Sequence, residues 1–193
     1  MMMRAMAADF YSAPTHLLAR SLLGKILMHG QVGGRVVEVE AYQGPSDRAA
    51  HSFGGRPTQR TRVMYGPAGV AYIYLIYGMY TCLNVVSGGE GRPEAILIRG
   101  LEPLYGVDTM ARRRGQSRNL TNGPGRLTQA LDIDRSLNGH CLWRYPLFLS
   151  DDGFLVQPSD VRQGPRVGVE YAGVAAKFPW RYWIDGHRSV STR

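Results

Sequence analysis

Lysine is almost missing from this chain: only Lys25 and Lys177 occur, and the other 21 basic residues are arginines. Cysteine is scarcer than a disulfide or zinc scaffold needs, since Cys82 and Cys141 form no C-x-x-C unit. The five histidines show no zinc-type ligand spacing either. No stretch has the uninterrupted apolar length of a membrane span, and the opening MMMRAMAADF lacks the apolar core of a signal peptide. A soluble protein that stays inside the cell, with no membrane partner, is the expectation. No internal repeat or low-complexity segment appears, which excludes solenoids and propellers.

What is present is a globular composition, 44% hydrophobic and 20% charged over 193 residues, enough for one domain with a substantial core. Acidic residues are in the minority, 15 against 23 basic, so the chain carries +8 and an isoelectric point near 9.8. A polyanionic partner suits that balance, and planar guanidinium groups suit phosphate. A biased genomic composition would give the same ratio.

The pattern predicts a mixed α and β domain. Pro14–Leu23 reads as a helix stopped at Gly24. KILMH and RVVEVEAY flank the turn-like GQVGG, and VAYIYLIY and YTCLNVV flank Gly78, giving two hairpins; EAILIRGL adds a strand. Leu104–Arg114 and the segment from Pro124 read as helices, and RVGVEYA and PWRYWIDG as closing strands. Gly123-Pro124-Gly125 suits a helix cap or an anion cradle.

Four groups of residues have chemical potential. In RVVEVEAY, Glu38, Glu40 and Tyr42 alternate onto one face, which is either solvated, with Glu38 paired to Arg35, or lines a pocket where a carboxylate acts as a base. In AILIRGL, Leu97 and Arg99 share a face; the arginine suits a pair with Glu102 or a role fixing Glu40. AYIYLIYGMYTCLN is dense in tyrosine, and Tyr77, Met79 and Tyr80 around Gly78 suit wedges or stacking platforms for bases. The turn-rich stretch from Gly44 to Gly69 holds His51, Arg56, Arg60 and Arg62.

Taken together, EAYQGPSDRAAHS, IYLIYGMYTCLN and LIRGLEPL closely resemble the blocks of the alkyladenine DNA glycosylase family, the mammalian type of 3-methyladenine DNA glycosylase. NGPGRLTQAL and PRVGVEYAG resemble later blocks in the same order. The resemblance implies an α+β fold: a single catalytic domain over 1–193 with a curved antiparallel sheet and a protruding β-hairpin. It implies Glu40 as the general base for water and Arg99 as the residue that places both. Tyr42, His51 and Tyr74 match residues that sandwich an extruded base; Asn84 matches a position that discriminates against the exocyclic amine of guanine, and Leu97 falls in the same pocket. Tyr77 matches the residue that enters the vacated space, with Met79 and Tyr80 supporting it. Thr58 and Arg60 match phosphate contacts, although Gln59 and Thr61 replace the commoner proline and asparagine.

The implied substrate is double-stranded DNA containing damaged purines, met by a minimal, monomeric catalytic domain in the cytoplasm, at the nucleoid if bacterial. No metal or organic cofactor is expected. The motif blocks hold no lysine for a Schiff base, with Lys25 the nearest candidate, so monofunctional hydrolysis is the expectation. A glycosylase with lyase activity and a non-catalytic nucleic-acid-binding domain are the alternatives.

Overall fold

A computed structural model describes residues 3–76 and 78–191. Its elements run α1 (Thr15–Leu22), β1 (Ile26–His29), β2 (Val32–Tyr42), β3 (Ala71–Ile76), β4 (Tyr80–Ser87), β5 (Glu94–Tyr105), α2 (Val107–Arg114), α3 (Pro124–Leu131), β6 (Leu147–Ser150), β7 (Val161–Gly164) and β8 (Arg181–Ile184). The strands form one antiparallel, unclosed sheet in the order β3-β4-β5-β2-β1-β6, with β8 joining β2 and β7. The chain is a single mixed α+β domain.

β2 is the organising strand. One edge pairs with β5 along nearly its whole length; the other pairs with β1 at Val32–Arg35 and with β8 at Glu38–Glu40. The β2–β5 register shifts between Gly33 and Gly34, between Val36 and Glu38, and again between Glu38 and Val39. Such bulges re-aim side chains next to functional sites. Here Val39 opposes Ile98 and Glu38 opposes Gly100, so Arg99 is directly opposed by no residue. Val36, Val39 and Ala41 join the apolar core with Ile96, Ile98 and Leu101, against Leu18 and Leu22 of α1 and Leu127 and Leu131 of α3. Burying such side chains stabilises by about 1.5–3 kcal/mol each before the entropic costs of folding.

Both expected hairpins form, with boundaries corrected. The first turn is at Gly30-Gln31, and Val32-Gly33-Gly34 are already strand. Those glycines are required by proximity: a Cβ at Gly34 would meet the Glu102 carbonyl oxygen across the sheet. The helix expected from Leu104 starts at Val107, because Leu104 and Tyr105 extend β5 to the left-handed Gly106. RVGVEYA is not a strand: 166–169 is loop, and Glu170–Lys177 forms 3-10 turns interrupted at Gly173. Its apolar residues Val169, Ala172 and Ala175 pack on Ala49 instead of alternating across a sheet. β6 and β7 were not anticipated; each has only four residues, too short for a periodic signal. Among the described residues no helix is long and apolar enough to cross a membrane.

Candidate active site

One cleft of ≈ 290 Å³ opens where β2, β4 and β5 meet the 166–171 segment. That volume is at the low end for small-molecule sites, room for a single flat heterocycle. Tyr42, His51, Tyr72, Tyr74, Asn84, Leu97 and Arg99 all line it, so three expected base-pocket aromatics, the expected discriminator and the expected arginine converge. β-Strand alternation explains part of this. Asn84 opposes Leu97 and Tyr72 opposes Asn84 across neighbouring strands, stacking one row of side chains across the sheet.

Behind the cleft lining lie two carboxylates that are completely buried, Glu38 and Glu40. This rejects the solvated-face reading and the pairing of Glu38 with Arg35, which binds Asp152 and Glu102 instead. The pairing of Arg99 with Glu102 is likewise absent from the ion pairs of Arg99, which go to Glu38 and Glu40. The two carboxylates differ in what they have left. Glu38 accepts from Arg99 Nε (3.0 Å), Arg181 Nη1 (3.3 Å), Ser191 Oγ (2.9 Å) and Ser191 N–H (2.6 Å). Three of these donors converge on Oε1 and one meets Oε2, so four hydrogen bonds hold Glu38 in place. Glu40 Oε1 takes the Val167 N–H (2.7 Å) and Arg99 Nη1 (3.3 Å), while among the described residues Oε2 accepts only the Tyr42 hydroxyl (2.8 Å). Glu40 thus keeps capacity for a further proton, and its three partners Tyr42, Arg99 and Val167 all line the cleft.

Burial pushes the Glu40 pKa up, and Arg99, the Val167 N–H and the Tyr42 hydroxyl oppose that shift without reversing it; Glu38 adds to it. Desolvation thus outweighs the neighbouring cation. A carboxyl raised toward neutrality is a stronger base once ionised. Burial, then the Glu40 charge, raises the Tyr42 phenol, so Tyr42 remains a donor.

The aromatic wall is tied together edge to face. The His51 ring stands 4.5 Å from Tyr74 at 76°, and Tyr74 lies 5.5 Å from Tyr72. His51 Nδ1 is 2.9 Å from the Tyr72 hydroxyl and Nε2 is 3.4 Å from Arg60. A guanidinium only donates, so Nε2 accepts and Nδ1 carries the proton. Burial and then Arg60 lower His51 to about 4, and the ring is neutral at physiological pH. Arg60 also lies 4.9 Å over the Tyr74 ring, at the rim of the cleft. Thr58 bonds Thr61 through its N–H and its hydroxyl, each at 3.0 Å, so the unusual Thr61 closes this turn.

The hairpin tip is exposed as expected, Met79 by 68% and Tyr80 by 47%; Tyr77 lies outside the described residues. Gly125 lets α3 start against this hairpin, because a Cβ there would come within 3.2 Å of Tyr80. Close packing therefore accounts for one glycine of the Gly123-Pro124-Gly125 turn. Tyr182 packs in the core and Trp180 against it.

Several contributors were not identified from sequence. Arg166, fully buried at its side chain, forms a two-pronged pair with Asp47 (2.5 and 2.9 Å) and bonds the carbonyls of Ala41 and Ala175. Its guanidinium sits 4.7 Å from the Tyr42 ring and 4.9 Å from Trp180. This pair locks the loop that presents Val167 N–H to Glu40. Asp47 and Arg166 are 119 residues apart, and no local pattern signals such a pair. Tyr171 and Cys82 also line the cleft.

Comparison with known proteins agrees with this geometry. The methylpurine-DNA glycosylase family model matches residues 9–188. A protein of Bacillus licheniformis described as "putative 3-methyladenine DNA glycosylase" is 49% identical over 95% of this chain and 94% of its own length. Proteins of the same description from Desulfitobacterium hafniense (42% identity, 99% of this chain and 100% of the relative) and Clostridium acetobutylicum (43%, 95% of each) are similar. With a family match over nearly all its length and a buried carboxylate–arginine centre beneath an aromatic cleft, the chain belongs to the methylpurine-DNA glycosylase family and is a DNA glycosylase, a hydrolase of N-glycosyl bonds.

Proposed function

We propose that this protein is a monofunctional glycosylase that extrudes alkylated or deaminated purines from duplex DNA and hydrolyses their N-glycosidic bond with a water activated by Glu40. The observation that carries the reading is the buried Glu40 carboxylate, with one oxygen bonded among the described residues only by Tyr42, behind a cleft sized for one base. Water attacks C1′ of the deoxyribose as the bond to the purine nitrogen breaks; the electron pair leaves with the base and a water proton passes to Glu40. The anionic carboxylate also stabilises the oxocarbenium character on the sugar. Arg99 binds Glu40 and orients it. The raised pKa of Glu40 suits a base that must accept a proton near neutral pH.

Tyr42, His51 and Tyr74 hold the extruded base between aromatic faces, which attract electron-poor and cationic purines such as 3-methyladenine and 7-methylguanine. Those bases leave as neutral molecules, whereas hypoxanthine and ethenoadenine require a proton on departure. Asn84 and Leu97 shape the pocket edge, Asn84 selecting against the amine of guanine. Tyr77, Met79 and Tyr80 fill the gap in the duplex; the exposure of Met79 and Tyr80 supports this. Thr58 and Arg60 meet backbone phosphate. The chain acts as a monomeric catalytic domain in the cytoplasm. Lys25, the only candidate for lyase chemistry, is bound to Asp151 at 2.6 Å and does not line the cleft, which favours hydrolysis over strand cleavage.

The test is chromatography of free bases released from methylated and hypoxanthine-containing duplexes. Wild type is expected to release 3-methyladenine, and Glu40→Gln to bind the damaged duplex without releasing it. Release by both proteins at equal rates would refute the role of Glu40. Binding without release by wild type would instead favour a non-catalytic binding domain.

A further inference from the structure

The guanidinium of Arg99 is held at all three nitrogens: Nε by Glu38 (3.0 Å), Nη1 by Glu40 (3.3 Å) and Nη2 by the Ser191 hydroxyl oxygen (3.1 Å). Two of these partners are not Glu40. Ser191 in turn donates its N–H and its hydroxyl to Glu38, at 2.6 and 2.9 Å. Glu38, held by four hydrogen bonds, is fully buried and one strand repeat from Glu40.

The segment carrying Ser191 reaches this place over a glycine. A Cβ at Gly100 would meet the Ser189 carbonyl oxygen at 2.7 Å and Glu38 Oε2 at 3.4 Å. Ser189 and Val190 are themselves buried. The segment 187–191 thus closes over β5 at the point where the strand register shifts.

We infer that Ser191 and Glu38 are positioning residues of the hydrolytic centre, acting through Arg99 to fix the orientation of Glu40. The inference rests on the reading of Glu40 as the base. Without the Ser191 hydroxyl, Arg99 Nη2 loses its hydrogen-bond acceptor and Glu38 loses one donor, so the guanidinium is free to pivot away from Glu40. Base binding does not depend on this, because neither residue lines the cleft.

The test is single-turnover release of 7-methylguanine from a duplex, with enzyme in excess, alongside the affinity for the same duplex. A base that leaves as a cation-derived neutral molecule needs no general acid, so the acid limb of the rate reports the base alone. Ser191→Ala is expected to slow release roughly tenfold, the scale of one hydrogen bond to a charged group, with affinity unchanged, and Ser191→Thr to restore the rate. Glu40 is faced by Arg99 from β5, Tyr42 and Glu38 from β2, Arg181 from β8, Cys82 from β4 and the Arg166–Val167 loop. Glu38→Gln removes the charged acceptor of Arg99 Nε and is expected to slow release while leaving affinity unchanged.

Wild-type rates in Ser191→Ala, a rate loss that Ser191→Thr does not repair, or wild-type rates in Glu38→Gln would overturn the inference. If Glu38→Gln does not fold, the serine pair decides. Excision by a parallel Glu40→Gln control would instead overturn the reading of Glu40.

Discussion

Replacing Asp47 with asparagine tests how the Val167 loop is held. The Asp47 carboxylate accepts both arms of Arg166 and the N–H groups of Gln43 (3.1 Å) and Ala49 (3.0 Å), and both side chains of the ion pair are inaccessible to solvent. Asparagine keeps the shape, removes the charge and turns one acceptor into a donor facing other donors. Breaking a buried pair from one side costs about 3–5 kcal/mol, because the remaining charge stays buried without compensation. For a domain of this size each kcal/mol lowers Tm by about 2–4 °C, so a fall of roughly 6–20 °C is expected.

Asp151→Asn is the matched control. It removes the same unit of charge from an ion pair with Lys25, but the Asp151 side chain is 39% exposed. Solvent screening leaves such pairs about 0–1 kcal/mol. Thermal unfolding followed by tryptophan fluorescence is the assay, since Trp180 stacks on Arg166 and reports locally. A second change, Arg166→Met, should return much of the stability lost in Asp47→Asn, because it removes the stranded charge. Equal melting temperatures for Asp47→Asn and Asp151→Asn would refute this account of the loop.

Two pH effects follow from the site. The fold raises the Glu40 pKa, so it favours the neutral acid: that stability is full below the unfolded value of 4.5 and is lost as pH rises through the folded value. Glu40→Gln should therefore melt higher than wild type at neutral pH, with the gain vanishing in acid; a constant difference across pH would contradict it. His51 has the opposite sign. Its pKa falls from 6.5 to about 4, so the neutral ring is favoured, and stability present above 6.5 is lost as pH drops toward about 4. His51→Gln should lose less stability over that range, and a His51 ring titrating near 6.5 by NMR would exclude the neutral assignment.

The sequence by itself determined the strands and helices with strong periodicity, since hydrophobic alternation and glycine or proline stops are local signals. It also put Glu38, Glu40 and Tyr42 on one face, because a strand repeats every two residues. The register with β5 shifts on both sides of Glu38, yet Arg99 still reaches both Glu38 and Glu40. The motif blocks named the cleft residues that the sheet then gathered from β2, β3, β4, β5 and the His51 loop. The RVGVEYA segment shows why local patterning fails: its valines and alanines face Ala49 through 3-10 turns, a docking decided by distant chain. Only tertiary structure separated the two carboxylates. Glu38 and Glu40 are alike in sequence, and their difference comes from Ser191, Arg181, Val167 and Tyr42, three of them more than 120 residues away. Burial, and hence the raised pKa of Glu40, is a property of what packs around a residue, which no spacing of residues along the chain encodes.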